Sequence, residues 1–280
     1  MNFDFFKRMI NQGNCMKKKN LPTILITNDD GIRAPGIKHL WNAVKKMANI
    51  VIIAPSNEQS CVSLSLTIRH PLLIEKFDWP ENTPTWSVNG TPADCIKLAL
   101  NVILDNPPDL VISGINQGSN AGRNVLYSGT VAGVIEGIMH DVPGIAFSCY
   151  DYYDPSPNFS IVEKYIPLVI NHVLEQPLPL GTFLNVNFPS INAPEIQGFK
   201  MTTQGKELWM EDPEERSHPS SKISYYWLGA KLLQCEEAED SDIMWLRKGY
   251  ITAVPIQVSD LTDHAQVLER RHEFNKLALS

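Results

Sequence analysis

Short apolar runs alternate with segments of helical period along the first two thirds of the chain. The apolar runs are bounded by glycine, proline or asparagine, which is typical of buried strands. Between them, apolar residues recur every three or four positions, which is typical of helices packed on a sheet. This alternation predicts an α/β fold with a mostly parallel sheet. The predicted strands cover residues 23–26, 50–54, 109–114, 143–148 and 183–189, with a small meander over 64–68 and 72–74; the predicted helices cover 37–47, 93–103, 129–138 and 160–174.

The pattern changes after residue 198, where threonine, tyrosine and tryptophan become frequent. Residues 201–203 and 224–227 are two such runs, and the charged loop from Glu211 to Ser217 lies between them. This arrangement predicts a long antiparallel hairpin, which cannot bury its own surface unaided. Residues 249–256 predict a returning strand, and residues 260–278 predict a polar C-terminal helix.

These patterns divide the chain into three parts. Residues 1–20 have no clear period and are expected to be a disordered extension. Met16 is followed by a lysine run directly before the first strand, so Met1 and Met16 are both candidate starts. Residues 21–197 form the predicted α/β core, and residues 198–280 hold the hairpin arm, the returning strand and the C-terminal helix. A chain of 280 residues, 43% of them hydrophobic, is long enough for one large domain with such an appendage.

Charge and cysteine content exclude several classes of protein. A formal charge of −7 argues against binding to nucleic acid through its phosphates, because such binding needs clustered lysine and arginine. The five cysteines are scattered and contain no C-x-x-C pair, which favours a reduced compartment. No apolar run reaches the roughly 18 residues of a membrane span. We therefore expect a cytoplasmic protein without a specific nucleic-acid partner or membrane contact.

The first predicted strand is followed, after Thr27 and Asn28, by two carboxylates, Asp29 and Asp30, and then by Gly31. In an open α/β sheet, ligands bind at the carboxyl ends of the strands, so this turn is a candidate site. Two carboxylates about 4 Å apart repel each other by roughly 1–4 kcal/mol. A converged pair therefore needs a bound cation or a shared proton. The alternative is a polar turn in which an aspartate caps the next helix.

Oxygen-bearing side chains follow two other strands at the same edge of the predicted sheet. Ser60 lies in a polar loop after the second strand, and Asn116 and Asn120 follow the third. None of the seven histidines has metal-ligand spacing, and no cysteine pair supports zinc. Oxygen ligands without these residues favour a hard ion such as Mg²⁺, Mn²⁺ or Ca²⁺.

Ser128, Gly129 and Thr130 open the helix that follows the third strand. The free backbone N–H groups and the positive end of this helix face the same sheet edge, which predicts an anion site. Plain helix capping by the serine or threonine is the alternative. A serine nucleophile is not favoured, because the sequence has no G-x-S-x-G motif.

Several blocks together closely resemble the SurE family of survival-protein nucleotidases, in order over roughly residues 21–265. The blocks are Ile-Thr-Asn-Asp-Asp-Gly at 26–31, Ala-Pro-Ser-Asn-Glu-Gln-Ser at 54–60, Asn-Gly-Thr-Pro-Ala-Asp at 89–94, Ser-Gly-Ile-Asn-Gln-Gly-Ser-Asn at 113–120, Tyr-Ser-Gly-Thr-Val at 127–131 and Leu-Asn-Val-Asn-Phe-Pro at 184–189. The resemblance implies a Rossmann-like core and a C-terminal arm exchanged between protomers, as a homodimer or tetramer. It departs from the family at Cys61, where the family usually has glycine. This departure leaves two interpretations open, an ordinary backbone with the thiol in a small apolar pocket, or a thiol that affects the site.

The activity implied by the resemblance is metal-dependent hydrolysis of nucleoside 5′- and 3′-monophosphates, with some members also trimming polyphosphate. By position, Asp29, Asp30, Ser60 and Asn116 match the family's ligands to one divalent cation. With this set, we expect metal-activated water to attack phosphorus and Asp29 or Asp30 to act as the base. Asn120, Ser128, Gly129 and Thr130 are expected to bind the phosphate oxygens.

Two rival functions remain open from the sequence. One is a phosphatase that forms an aspartyl-phosphate on Asp29 or Asp30, although the expected D-x-D-x-[TV] spacing is absent. The other is a nucleotide- or metal-sensing module without turnover. Release of phosphate, measured with and without a chelator, separates the sensor from the enzyme.

Overall fold

A computed structural model describes residues 21–150, 157–190, 195–210, 212–229, 231–233 and 235–277. The strands are β1 (Thr23–Thr27), β2 (Asn49–Pro55), β3 (Ile74–Lys76), β4 (Thr85–Val88), β5 (Leu110–Gln117), β6 (Gly144–Cys149), β7 (Thr182–Phe188), β8 (Phe199–Met201), β9 (Leu208–Met210), β10 (Glu214–Ser217), β11 (Ser224–Trp227), β12 (Lys231–Leu233) and β13 (Ile251–Gln257). The helices are α1 (Pro35–Val44), α2 (Pro92–Leu98), α3 (Gly129–Met139), α4 (Ser160–Glu163), α5 (Ile166–Glu175), α6 (Asp242–Arg247) and α7 (His264–Phe274).

Nine strands form one sheet in the order β3–β4–β2–β1–β5–β6–β7–β13–β8. Six neighbouring strands, from β4 to β7, run parallel, while β3 and β13 are antiparallel to their inner neighbours. The chain builds outward from β1 to β2 and β4, then returns to β5 on the other side of β1. The gap between the ends of β1 and β5 is therefore the point where ligands bind in open α/β sheets.

Helices cover both faces of the sheet and produce the three layers of the predicted α/β fold. One face packs against α1, α4 and α5, with Ile24, Ile26 and Ile37 in its core. The other face packs against α2 and α3, where Leu25 and Val134 are fully buried. Successive residues of β1 thus alternate between the two cores, as strand geometry requires.

The predicted strand over residues 64–68 is wrong. This segment has no regular structure, and Leu64, Leu66 and Ile68 are exposed. Its backbone groups are bound by side chains rather than by a neighbouring strand: Thr67 N–H donates to Asp94 Oδ1 at 3.0 Å. The alternation of apolar residues here does not mark a buried face. Only the short strand β3 forms next to it, antiparallel to β4.

The C-terminal part differs from the prediction in its strand pairing. Met201 belongs to β8, which joins the main sheet beside β13. The arm is formed instead by two short antiparallel ribbons, β9 with β12 and β10 with β11. The segment Glu214–Ser217, predicted as part of a loop, is strand β10. The predicted helix over residues 160–174 is divided into α4 and α5, because Pro167 lacks the N–H that would continue it.

The helices and strands described above do not test two expectations from the sequence, the N-terminal extension and the exchange of the arm. The predicted N-terminal extension, residues 1–20, lies outside the described residues. Exchange of the arm with another chain stays a prediction. Within the described ranges, no helix combines the length and apolar character needed to cross a bilayer.

Candidate functional site

Loops from three strand ends meet where β1 and β5 diverge. Asp29 and Asp30 follow β1 after a single residue, Asn28, and Asn116 lies near the end of β5. The backbone N–H of Gln117 donates to Asp30 Oδ2 at 3.3 Å. On the other side, the backbone N–H of Gln59 donates to the carbonyl oxygen of Asp29 at 2.7 Å. These two bonds place the neighbours of Asn116 and Ser60 directly against the acid pair.

Asp29 is the buried member of the pair, with 4% of its surface exposed. The Thr130 hydroxyl donates to Asp29 Oδ1, and the Thr130 backbone N–H also donates to this carboxylate. Gly129 leaves the space that the carboxylate needs, because a Cβ there would lie 2.8 Å from Asp29 Cβ. The first turn of α3 therefore holds Asp29 in place and offers it two donors.

Burial raises the pKa of both aspartates. The pKa of Asp29 rises from 3.8 to about 6, because its desolvation outweighs the hydrogen bonds from Thr130. The pKa of Asp30 rises from 3.8 to about 7, through desolvation and then through repulsion by Asp29. Glu58 adds to the repulsion at both. The site therefore concentrates negative charge that a bound cation would neutralise.

Ser60 and Glu58 lie in the exposed loop after β2. Ser60 Oγ donates to Glu58 Oε1 at 2.7 Å, so its lone pairs stay directed toward other partners. Glu58 is an acid near the pair that the sequence pattern does not identify. Its only signal in the sequence is its place in the loop before Ser60. The loop continues to Ser63, whose Oγ donates to the carbonyl oxygen of Leu126 at 2.8 Å. This bond joins the Ser60 loop to the chain that enters α3.

Cys61 has an exposed side chain and a backbone φ of +58°. The interpretation of an ordinary backbone with the thiol in an apolar pocket is therefore wrong. The left-handed conformation agrees with the glycine usual at this position in the resembled family. An effect of the thiol on the site stays a prediction.

Asn116 and Asn120 occupy different surroundings in the loop after β5. Asn116 is half-buried, and its Nδ2 donates to the Gly118 carbonyl at 2.7 Å, so its amide oxygen faces away from that carbonyl. Asn120 is buried, and its Nδ2 donates to Ser148 Oγ at 2.8 Å. Asn116 thus directs its amide nitrogen to Gly118 and lies next to Gln117, which contacts Asp30, whereas Asn120 offers an oriented amide N–H.

The opening of α3 shows the capping that the sequence leaves open as an alternative, together with a contact to Asp29. Ser128 is its N-cap, and its Oγ accepts a hydrogen bond from Val131 N–H at 3.1 Å. Thr130 is fully buried and its hydroxyl is engaged with Asp29. The structure thus shows capping by Ser128 and support of Asp29 by Thr130. Binding of phosphate by Ser128, Gly129 and Thr130 stays a prediction.

The donor set is chemically suited to a hard divalent cation. Two carboxylates of raised pKa, a serine hydroxyl and an asparagine oxygen provide oxygen ligands only, which Mg²⁺, Mn²⁺ and Ca²⁺ prefer. In the part of the chain that the structure describes, no group of three or more histidine, cysteine, aspartate or glutamate side chains is placed to hold a metal. A cation here would therefore depend on the neutral oxygens of Ser60 and Asn116 as well as on the acids.

Comparison with known proteins gives consistent matches over most of the chain. Residues 24–211 match the family described as survival protein SurE. A protein of Protochlamydia amoebophila named 5′-nucleotidase SurE is 54% identical over 254 residues, covering 90% of this chain and 97% of its own length. A protein of the same name from Christiangramia forsetii is 40% identical, covering 89% of this chain and 95% of that protein. The crystal structure of the SurE protein from Aquifex aeolicus superposes with a TM-score of 0.77 at 37% identity, covering 90% of this chain and all of that one.

Proposed function

The chain belongs to the SurE family, and on that premise we propose that it hydrolyses nucleoside 5′-monophosphates to nucleoside and phosphate. It is a nucleotidase, a phosphoric monoester hydrolase. The observation that carries the proposal is the acid pair, Asp29 and Asp30, at the β1–β5 gap beside the N-terminus of α3. A cation held by these acids and the positive N-terminal end of α3 would together balance the negative charge of a phosphate monoester. The proposal includes 3′-monophosphates and short polyphosphate as further substrates.

One divalent cation per subunit is part of this proposal. Asp29, Asp30, Ser60 and Asn116 would hold it. When bound, Mg²⁺, Mn²⁺ or Ca²⁺ would supply Lewis acidity toward a phosphate oxygen and water. The supporting observation is the raised pKa of the two aspartates. It indicates that, among the described residues, the ionised carboxylates lack a compensating positive charge, which a bound cation would supply.

The protein's own residues divide the remaining work between proton transfer and phosphate binding. Asp30 is the better-placed base, because it is partly exposed, whereas Asp29 is buried against Thr130. It would take the proton from the attacking water as oxygen approaches phosphorus. The amide of Asn120 and the groups that open α3, Ser128, Gly129 and Thr130, would bind the phosphate oxygens as negative charge develops. The leaving nucleoside oxygen would take a proton from water.

A phosphate-release assay tests the proposal directly. Nucleoside 5′- and 3′-monophosphates and tripolyphosphate are incubated with the full chain in Mg²⁺, Mn²⁺ or Ca²⁺, with EDTA as the control. We expect metal-dependent release of phosphate from 5′-monophosphates. Tight nucleotide binding by calorimetry without phosphate release in any metal would instead favour the sensing module.

Direct attack by water is distinguished from an aspartyl-phosphate by the stereochemistry at phosphorus. With a nucleoside monophosphorothioate made chiral at phosphorus by oxygen isotopes, one in-line attack by water inverts the configuration, whereas an aspartyl-phosphate requires two displacements and retains it. Retention, or an acyl phosphate on Asp29 or Asp30 that borohydride reduces after an acid quench, would show a covalent intermediate. We further propose that the enzyme acts in the cytoplasm as a homodimer or tetramer, without a nucleic-acid or membrane partner.

A further inference from the structure

Asn120 is held by three side chains from neighbouring strands. Its backbone N–H donates to Asn187 Oδ1 at 2.8 Å, and its carbonyl oxygen accepts from Asn185 Nδ2 at 2.9 Å. Its own Nδ2 donates to Ser148 Oγ at 2.8 Å. Asn185 and Asn187 lie on one face of β7, and Ser148 of β6 is the strand partner of Asn187. Both backbone groups and the side chain of one loop residue are thus fixed from the sheet.

The two asparagines of β7 have opposite hydrogen-bonding roles. A backbone N–H can only donate, so Asn187 must present its oxygen; a carbonyl can only accept, so Asn185 must present its nitrogen. Asn187 Oδ1 also accepts from the Ser119 hydroxyl at 3.1 Å. These partners determine the orientation of both amides.

This arrangement is costly for a buried strand. Asn185 and Asn187 are each at most 1% exposed. Their other amide atoms, Asn185 Oδ1 and Asn187 Nδ2, have no hydrogen-bond partner among the described residues. A buried polar atom without a hydrogen-bond partner destabilises the folded chain, because it has lost its contact with water and gained nothing in return. Apolar residues would serve packing alone better, so the polar pair has a use other than packing.

We propose that Asn185 and Asn187 are positioning residues that act through Asn120. With Asn120 fixed at its backbone and one amide hydrogen bound by Ser148, its second amide hydrogen has a defined direction. That hydrogen serves the phosphate oxygens of the substrate. This inference rests on the proposed function, in which Asn120 binds phosphate, and it deepens that function by naming what orients the donor.

Isosteric variants test the opposite roles of the two asparagines. Asn185→Asp replaces the donor to the Asn120 carbonyl with an acceptor, whereas Asn187→Asp keeps the acceptor for Asn120 N–H. Asn187→Leu removes that acceptor at similar size. Thr252→Val is the matched control, because Thr252 is the strand partner of Asn187, is fully buried, and has a hydroxyl without a hydrogen-bond partner in the described part of the chain.

For each variant, the measurements are kcat, KM for a nucleoside 5′-monophosphate, competitive inhibition by inorganic phosphate, and the melting temperature. We expect Asn185→Asp and Asn187→Leu to lower kcat/KM about 30-fold or more, since displacement of a binding group by about 1 Å can cost about a hundredfold. KM and the inhibition constant of phosphate should both rise. Asn187→Asp should recover about tenfold or more over Asn187→Leu. Thr252→Val should keep wild-type kinetics within about twofold.

The kinetic pattern separates positioning from loss of folded protein. Fewer folded molecules lower kcat but leave KM and the phosphate inhibition constant unchanged. Wild-type KM and phosphate inhibition in Asn185→Asp, or equal impairment of Asn187→Asp and Asn187→Leu, would overturn the inference. If Asn185→Asp does not fold, Ser148→Ala takes its place, with the same rise in KM expected. A wild-type protein that releases no phosphate overturns the proposed function as well, whereas an active wild type with unaffected variants overturns the inference alone.

Discussion

The ionised carboxylate of Asp30 lowers the stability of the folded chain, although the proposed function requires it. Its pKa in the folded state is about 7, compared with 3.8 for an ordinary aspartate. Between these two pH values the folded chain holds a proton that the unfolded chain has lost. The contribution of this group to stability is therefore fully present below about pH 4 and is lost as pH rises toward 7. A bound cation would remove this cost by favouring the ionised form.

Replacement of Asp30 by asparagine should therefore affect activity and stability in opposite directions. In EDTA, we expect Asp30→Asn to raise the free energy of unfolding at pH 7.5 by at least about 1 kcal/mol, with a smaller gain at pH 4.5. With saturating metal, we expect turnover to fall at least about a hundredfold, because a charged ligand is lost. Thermal melts at both pH values and phosphate release measure the two effects.

Asp141→Asn is the matched control for this change. Asp141 is exposed, lies after α3 and takes no part in the acid pair. The control should leave both stability and activity near wild type. Near-normal turnover of Asp30→Asn in saturating metal, or of Asp29→Asn, would contradict the assignment of these residues.

Cys61 carries a conformational cost that glycine would not. The left-handed conformation costs a residue with a Cβ roughly 1–2 kcal/mol. A glycine avoids this cost, but its larger conformational entropy in the unfolded chain offsets about 0.5–1 kcal/mol of the gain. Cys61→Gly should therefore stabilise the chain by about 0.5–1 kcal/mol, measured by chemical denaturation. Cys61→Ala keeps the Cβ and should give no such gain. Equal stability of the two variants would contradict the strain.

The exposed thiol beside Ser60 provides a separate prediction about activity. Thiolates bind soft metals and react with peroxide far more readily than oxygen ligands do. We expect peroxide and Zn²⁺ to inhibit the natural protein more strongly than Cys61→Gly, in assays at equal Mg²⁺. Equal inhibition of the two proteins would show that the thiol has no effect on the site.

For helices and strands, features that depend on neighbouring residues can be predicted from the sequence, whereas features that depend on contacts between distant residues cannot. The capping box of α2 is a local signal: Asp94 N–H donates to Thr91 Oγ1 at 3.1 Å, within one helical turn. The Asp94 carboxylate accepts from Thr91 N–H within this box and also from the backbone N–H of Thr67, 27 positions away, so the 64–68 segment is held to the start of α2. No local pattern contains that information.

The same distinction applies to the site. Asp29 and Asp30 lie just after the end of β1, separated from it only by Asn28, so their place at the sheet edge could be predicted from a few residues. The bond of Asn185 to the Asn120 carbonyl spans 65 positions. The sequence signal for it is two asparagines at alternate positions of an otherwise apolar strand, which indicates a shared face but does not identify the partner.

The close approach of α1 to β5 is a contact between elements that can be tested at Gly36. A Cβ at this position would overlap the carbonyl oxygen of Ile115, next to Asn116. Gly36→Ala should therefore push α1 away from β5, lower the free energy of unfolding by about 1–3 kcal/mol and reduce activity through Asn116. Gly133→Ala is the control, because a Cβ there meets mainly a Thr27 methyl group, and its activity loss should be smaller. An equal loss of activity in the two variants would contradict a specific effect on Asn116.

Across the whole molecule, the C-terminal segment is joined to the site loop. Asp242, at the start of α6, accepts hydrogen bonds from Gly122 N–H at 2.9 Å and from Gly205 N–H at 2.8 Å. Arg123 N–H donates to the Glu207 carbonyl at 2.9 Å. The loop that contains Asn120 is therefore hydrogen-bonded to the base of the arm, because Glu207 directly precedes β9.

Beyond this base, the arm has little surface of its own to pack against. Tyr226 and Trp227 of β11 are 59% and 62% exposed, and Leu228 is 66% exposed. An isolated two-stranded hairpin is marginally stable in water. Exposed apolar residues on such an element are typical of a protein–protein contact. A second copy of the chain, arranged with closed symmetry, is the expected partner.

Shortening the arm should therefore change the assembly before it changes the core. We expect the full chain to be a dimer or tetramer by light scattering at micromolar concentration, and a chain with residues 212–229 replaced by a short Gly-Ser linker to be a smaller species. The core should still melt cooperatively, because β9 and the sheet lie outside the deleted segment. Tyr226→Ser with Trp227→Ser keeps the hairpin length and should weaken association in the same direction, whereas Arg216→Ser on the exposed strand β10 should not. A fully active monomer of the natural chain would contradict the role of the arm in assembly.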